Sequence, residues 1–248
     1  MLQNIQDILK TPDEERRLLV FDDFSCLVIS APGRESQMEK AVVILGGRGS
    51  TSTENNITCE AGTPFRRELL RHGYMVLCPD CGSDNWGGPV SSHIVHRVLE
   101  QLPSAGIHMQ QALPVMGFSM GALGTMMFAV RHPERVKRLV GVFGAYDLLD
   151  FRRRIESYRQ SIDAVYPTPE LLAESTPYTF IERLRQFPVR LFHGQEDTLV
   201  PCEYSQRLWR MLREAGGDAT LEFVPNVGHS NDLLTLAKDS LLAALEEG

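Results

Sequence analysis

The sequence predicts an α/β fold with a mostly parallel sheet covered by helices on both faces. Three observations carry the prediction. Short apolar runs alternate with segments of helical period along nearly the whole chain. Several of those runs, "KAVVILGG" among them, are continuously apolar and end in glycine, as strands buried on both faces do. Finally, "VMGFSMGALG" at 115–124 places Ser119 between two glycines where an apolar run gives way to a helical one. A chain of 248 residues with 43% hydrophobic content has ample material for one large domain spanning 1–248.

The elements follow in order. "RLLVFDD" and "SCLVISAP" read as two successive strands, a hairpin at the edge of the sheet. "KAVVILGG" is the third strand. "FRRELLRHG" is amphipathic and stops at Gly73, a good helix end. Next come strand "YMVLCPD", helix "SSHIVHRVLEQL" and strand "ALPVMGF". "GALGTMMFAVRHPERV" is a helix that Pro133 ends, and "RLVGVFGAYD" is the sixth strand. Residues 148–187 break the rhythm with two or three polar helical stretches and the turn "YPTPE", a small helical insert that would form a modest cap. The alternation then resumes with strand "VRLFHG", helix "CEYSQRLWRMLREAGG", strand "TLEFVP" and a closing helix, "NDLLTLAKDSLLAALEE". That makes about eight strands. In such sheets chemistry gathers in loops at the carboxyl ends of the strands.

Composition narrows the partners. A net charge of −7 argues against nucleic acid and anionic membrane, which both reward clustered cations. The one basic run, Arg152–Arg154, reads as a solvated face; beside the insert it would otherwise face an anionic acyl group. The N-terminus, "MLQNIQDILKTPDEERR", lacks a basic start and an apolar stretch, so no export signal is expected. No apolar run reaches membrane-spanning length. Five scattered cysteines make a poor disulfide framework and suit a reducing cytoplasm. The glycosylation pattern Asn56-Ile57-Thr58 is idle without export. Cys78 and Cys81 form a C-x-x-C, but no second ligand pair follows and the flanks read as loop. They are expected to be structural, with no metal site.

The chemistry lies in the strand-end loops. Ser119 occupies a G-x-S-x-G turn, in which Gly117 and Gly121 let strand and helix close on the turn while the hydroxyl stands at its tip. The amides opening the next helix favour developing negative charge there. A serine hydroxyl needs a base. His229, in "VPNVGHSND" after the last strand, is placed to serve. His193 closes a strand and reads as structural; the remaining histidines lie at helix ends, on one helix or in a connecting loop. The imidazole in turn needs an acid. Asp197, in "HGQEDTLVP" after the seventh strand, is favoured; Asp147 after the sixth competes, and Asp232 fits a helix cap better.

In this arrangement the chain resembles the α/β-hydrolases over nearly its whole length. From Ser119 onward it is most similar to the dienelactone-hydrolase and prolyl-oligopeptidase-like branch, through "STPYTFIERLRQFPVRLFHGQEDTLVP" and "VPNVGHSND". The N-terminal hundred residues match through strand rhythm and "ILGGRGS". The resemblance implies an acyl-enzyme mechanism without a cofactor, in the chain order Ser119, Asp197, His229. It also implies an oxyanion hole from the N–H groups of Met120 and of Arg48, with Gly47 as the alternative to Arg48. The loop departs from the family in reading Gly46-Gly47-Arg48-Gly49 where His-Gly often begins it. Trp86 and Tyr146, in strand-end loops, are candidate walls of the substrate site. The expected function is a serine hydrolase acting on a small or moderate-sized carboxylic ester, as a monomer or homodimer. An aminopeptidase-like or oligopeptidase-like amide hydrolase and a catalytically silent binding protein are the alternatives.

Overall fold

The computed structural model describes residues 9–35 and 38–246. The first eight residues, part of the stretch read for an export signal, lie outside that range. Nine strands form one sheet: β1 (Leu9–Lys10), β2 (Glu15–Val20), β3 (Ser25–Ser30), β4 (Lys40–Leu45), β5 (Tyr74–Pro79), β6 (Leu113–Phe118), β7 (Val136–Val142), β8 (Val189–Gly194) and β9 (Ala219–Val224). Their spatial order is β1-β2-β3-β5-β4-β6-β7-β8-β9. Strands β4 to β9 run parallel, while β2 and β3 make the expected edge hairpin, β3 lying antiparallel to β5. The two-residue β1 raises the expected eight strands to nine, so the predicted sixth strand is β7.

Burial explains the apolar runs. Every residue of β5, β6 and β8 is buried, because helices cover both faces of the sheet. Helices α1 (Thr63–Arg71), α2 (Pro89–Gln101) and α3 (Met120–Arg131) form the first three crossovers. Between β7 and β8 lie α4 (Leu148–Arg154), α5 (Glu156–Val165), α6 (Pro169–Ala173) and α7 (Ile181–Leu184), the four short helices of the insert. Helix α8 (Cys202–Glu214) leads to β9. The single closing helix expected from the sequence is instead two, α9 (Leu233–Leu236) and α10 (Lys238–Glu246), broken at Ala237. Asp232 sits at the start of α9, but its side chain makes no cap bond and accepts from Ser230 Oγ.

A buried ion pair fixes the loop ahead of α1. Arg66 of α1 donates from Nε to Glu14 Oε2 at 2.7 Å, and its Nη1 donates to the Ile57 carbonyl. Burial alone would raise the Glu14 carboxyl, yet bonds from Arg66 and Arg16 hold it below the usual carboxylate range. Among the described residues no helix is long and apolar enough to cross a membrane.

Candidate active site

The turn from β6 into α3 is unusually tight. A Cβ on Gly117 would come within 2.2 Å of the Gly121 carbonyl oxygen, and one on Gly121 within 2.1 Å of Leu45 O. Only hydrogen fits at either position, and the helix thereby closes on both β6 and the end of β4. Between them Ser119 adopts φ 53° and ψ −115°, a left-handed conformation that costs a residue with a side chain of order 1–3 kcal/mol. Its amide donates to Val142 O at 2.9 Å, which helps hold the turn.

His229 reaches this turn from the loop after β9. Its Nε2 lies 3.0 Å from Ser119 Oγ and its Nδ1 2.8 Å from Asp197 Oδ2. A carboxylate is an acceptor, so Nδ1–H donates to Asp197 and Nε2 is left to accept the serine proton. The Phe143 ring, itself on a left-handed backbone at φ 40°, packs on the imidazole with centroids 4.5 Å apart.

Asp197 is held from several sides. Its Oδ1 accepts from the amides of Leu199 (3.0 Å) and Val200 (2.9 Å), and the side chain is fully buried. His193 Nε2 lies 3.2 Å from Oδ2 and 3.0 Å from Val200 O. Both are acceptors, so Nε2 carries the proton and Nδ1 accepts from Ser205 Oγ at 2.7 Å. Burial would raise the Asp197 carboxyl, but the bonds from His193 and His229 and the Val200 amide outweigh it and hold the group well below the usual range. The structural reading of His193 thus misses its contact with this carboxylate. Asp147 is elsewhere: it caps α4 through Asp150 N–H (3.0 Å) and pairs with Arg207 (3.0 Å).

The loop after β4 lies across from the serine. Gly47 N–H is committed to Asn56 Oδ1 at 2.8 Å, whereas among the described residues Arg48 N–H has no protein acceptor. Met120 N–H is the first amide of α3, one of those without an intrahelical partner. Asn56 also donates from Nδ2 to Asn231 Oδ1 at 2.7 Å. One amide pair therefore ties the loop after β4 to the loop that carries His229. Sequence reading missed this bond, because neither asparagine belongs to a motif that pairs them.

The cleft above Ser119 and His229 has a volume of about 360 Å³ and is walled by Arg48, Trp86, Phe143, Phe151, Tyr158 and Leu199. Trp86 is nearly fully buried, with Nε1 donating to Ser161 Oγ of α5 at 3.0 Å. Phe151 of α4 and Tyr158 of α5 pack on its ring, so the insert roofs the cleft with aromatic groups. Arg48 stacks its guanidinium over Tyr158, 4.7 Å from the ring centroid, and pairs with Asp84. Tyr146 does not line the cleft. It is fully buried, its ring filling the space left by Gly141 and Gly144. Nor is Arg152 free for an acyl group, since it forks onto both oxygens of Asp163. The five cysteines are free thiols, and burial pushes those of Cys78 and Cys81 up to about 12.

Comparison with known proteins places this geometry. The model of the prolyl oligopeptidase family matches residues 80–239, from the end of β5 into α10. The chain belongs to that family. It is 26% identical over 147 residues to acyl-protein thioesterase 1 of Gibberella zeae, covering 59% of this chain and 53% of the relative. It is 31% identical over 128 residues to esterase YjfP of Escherichia coli, covering 47% of this chain and 49% of that one. The chain thus matches about half the length of these relatives. An S-formylglutathione hydrolase from Agrobacterium tumefaciens superposes with a TM-score of 0.75 at 17% identity, over 98% of this chain and 99% of its own. A puromycin-hydrolyzing peptidase of Mycobacterium tuberculosis gives 0.75 at 19% identity, over 96% of this chain and 40% of its own. The fold is that of the α/β-hydrolases.

Proposed function

We propose that this member of the prolyl oligopeptidase family is a serine esterase acting on small or moderate-sized carboxylic esters through an acyl-enzyme. The observation that carries the reading is the continuous relay from Ser119 Oγ to His229 Nε2 (3.0 Å) and from His229 Nδ1 to Asp197 Oδ2 (2.8 Å). Ser119 Oγ attacks the ester carbonyl while His229 Nε2 takes its proton. The developing oxyanion sits between the N–H groups of Met120 and Arg48, each such donor typically worth ~3 kcal/mol of barrier. Collapse breaks the bond to the alcohol, which leaves with the proton from His229, and water repeats the cycle on the acyl group.

Ester preference draws on the esterase and thioesterase among the relatives and on the cleft, whose aromatic roof of Phe151 and Tyr158 favours a short acyl group over a long chain. Peptide amides are the second reading, favoured by the family itself and by the peptidase among the structural neighbours. A fluorophosphonate probe should label Ser119, identified by mass spectrometry of the peptide. A panel of p-nitrophenyl esters and aminoacyl anilides then separates the two readings, with C4 esters turned over faster than C12 esters or anilides. Ser119→Ala should fold normally and abolish turnover; activity within about tenfold of wild type would remove Ser119 from the mechanism.

A further inference from the structure

The far end of α3 carries a second cluster of ionisable groups. Ser119 precedes this helix and His132 follows it, so the two stand ~20 Å apart at 1.5 Å per residue. His132 stacks on His96 of α2, with ring centroids 4.3 Å apart and planes 15° from parallel. Glu134, in the 3₁₀ turn Pro133–Arg135, brings Oε1 to 3.9 Å from His96 Nδ1 and 3.8 Å from His132 Nδ1. The ligand-type atoms of the three residues all lie within 4.8 Å of one another.

The surroundings of His96 are the informative part. His96 Nε2 faces Glu100 Oε1 at 3.3 Å, one turn further along α2. A carboxylate beside the far nitrogen of the ring is how ligating histidines are commonly oriented. His96 Nδ1 is shielded from solvent and has no hydrogen-bond partner. It faces two further electron-pair donors instead, a conflict that a cation resolves. Of the nearby arginines, Arg131 is spent on Gly87 O and Ser92 Oγ, and Arg135 lies 3.9 Å from Glu100.

We propose that His96, His132 and Glu134 form a binding site for a divalent transition-metal ion, zinc fitting best, with water as the fourth ligand. Two imidazoles and one carboxylate are a zinc-type set. Ligands at 2.0–2.1 Å around a tetrahedral ion stand ~3.4 Å apart and hold it in each ring plane, so closure needs the His96 and His132 rings to swing out of their stack and the exposed Glu134 to move in by a few tenths of an ångström. The ion ties α2 to the turn after α3 and takes no part in the chemistry at Ser119. The sequence, read for motifs, indicates no metal because the ligands come from α2 and from the turn after α3, far apart along the chain.

The test uses tag-free full-length protein, stripped with chelator, then titrated with zinc by calorimetry and with cobalt by visible absorption. One ion should bind per chain, and zinc should raise the melting temperature. His132→Asn and Glu134→Gln should each weaken binding by at least about tenfold. His93→Asn, one turn before His96 and exposed, should not. Circular dichroism of the metal-free variants checks that they fold, which for Glu134→Gln is secure because the side chain is exposed. Wild-type protein that fails to bind zinc, binding that survives both ligand substitutions, or equal loss in His93→Asn would each overturn the site.

Discussion

Two histidines converge on the Oδ2 of Asp197, and they do different work. His193 is buried and locked by Ser205 and Val200, whereas His229 is partly exposed and continues to Ser119. Asp197 thus has a carboxylate fixed by one buried partner and a second partner that continues to the serine, which is what orienting the proposed general base requires. Asp197→Asn removes the charge that selects the His229 tautomer; steady-state kinetics should show turnover falling at least ~100-fold with nearly unchanged substrate affinity, given ~10⁴ for the same change in the serine-protease template. Asp147→Asn, which keeps the helix-cap acceptor and removes only the charge paired with the exposed Arg207, should lose less than ~tenfold. The reverse ranking in folded protein would move the acid to Asp147. At this scale the residues with motif context, Ser119, Asp197 and His229, could be picked from the sequence. Tyr146 could not be placed, because a position just after a strand says nothing about where the ring points. Here two glycines open a space beneath the chain, and the ring turns inward to fill it.

Elements were more legible than contacts. Parallel strands covered on both faces are continuous apolar runs, so β4 to β8 stand out in the sequence, and the β2–β3 hairpin follows from its alternation. The break at Ala237 was not legible, since both halves of the closing segment keep a helical apolar pattern. The aromatic roof of the cleft was likewise hidden, as α4 and α5 reach Trp86 only through tertiary packing. The α3–β4 approach gives a paired prediction. Gly121→Ala places a methyl 2.1 Å from backbone and should cost about 1–3 kcal/mol while displacing the Arg48 loop and lowering turnover. Gly124→Ala, one turn on, meets Leu45 Cδ1 at 3.5 Å and Gly87 Cα at 3.8 Å, both ordinary contacts, and should be neutral or stabilising by up to ~1 kcal/mol from helix propensity. Urea unfolding of the two variants decides; equal destabilisation would mean that the packing at Gly121 is looser than described.

For the molecule as a whole, the sheet order brings together side chains from positions 119, 197 and 229, and the Asn56–Asn231 bond draws in the loop after β4. Contacts of that range have no signature in a single sequence, and the bond from Gly47 N–H to Asn56 Oδ1, which bears on the choice between Gly47 and Arg48 as proposed oxyanion donor, is one of them. The low-lying Asp197 carboxyl also links folding to pH. A group titrating below its unfolded value adds stability that is complete above the ordinary carboxylate range, ~3.9, and is lost as pH falls through the folded value. The stability advantage of wild type over Asp197→Asn should therefore be constant near neutrality and shrink as the medium is acidified below pH ~4. Paired denaturation curves across that range would show it, and a difference independent of pH would not fit.

The left-handed backbone at Ser119 sets reactivity against thermal endurance. In most helix-start or loop positions alanine is at least as stabilising as glycine, because glycine leaves the unfolded chain freer. Here the order should invert. Ser119→Gly and Ser119→Ala lose the same hydroxyl, yet glycine alone relaxes a conformation that otherwise costs a side chain of order 1 kcal/mol or more. For a chain of this size that corresponds to roughly 2–4 °C in melting temperature in favour of Ser119→Gly, readable by calorimetry on two inactive proteins. On the proposed mechanism the wild-type protein would then sit below a more heat-resistant, inert version of itself one substitution away, and screening for thermostability without an activity readout would select for the loss of the proposed nucleophile.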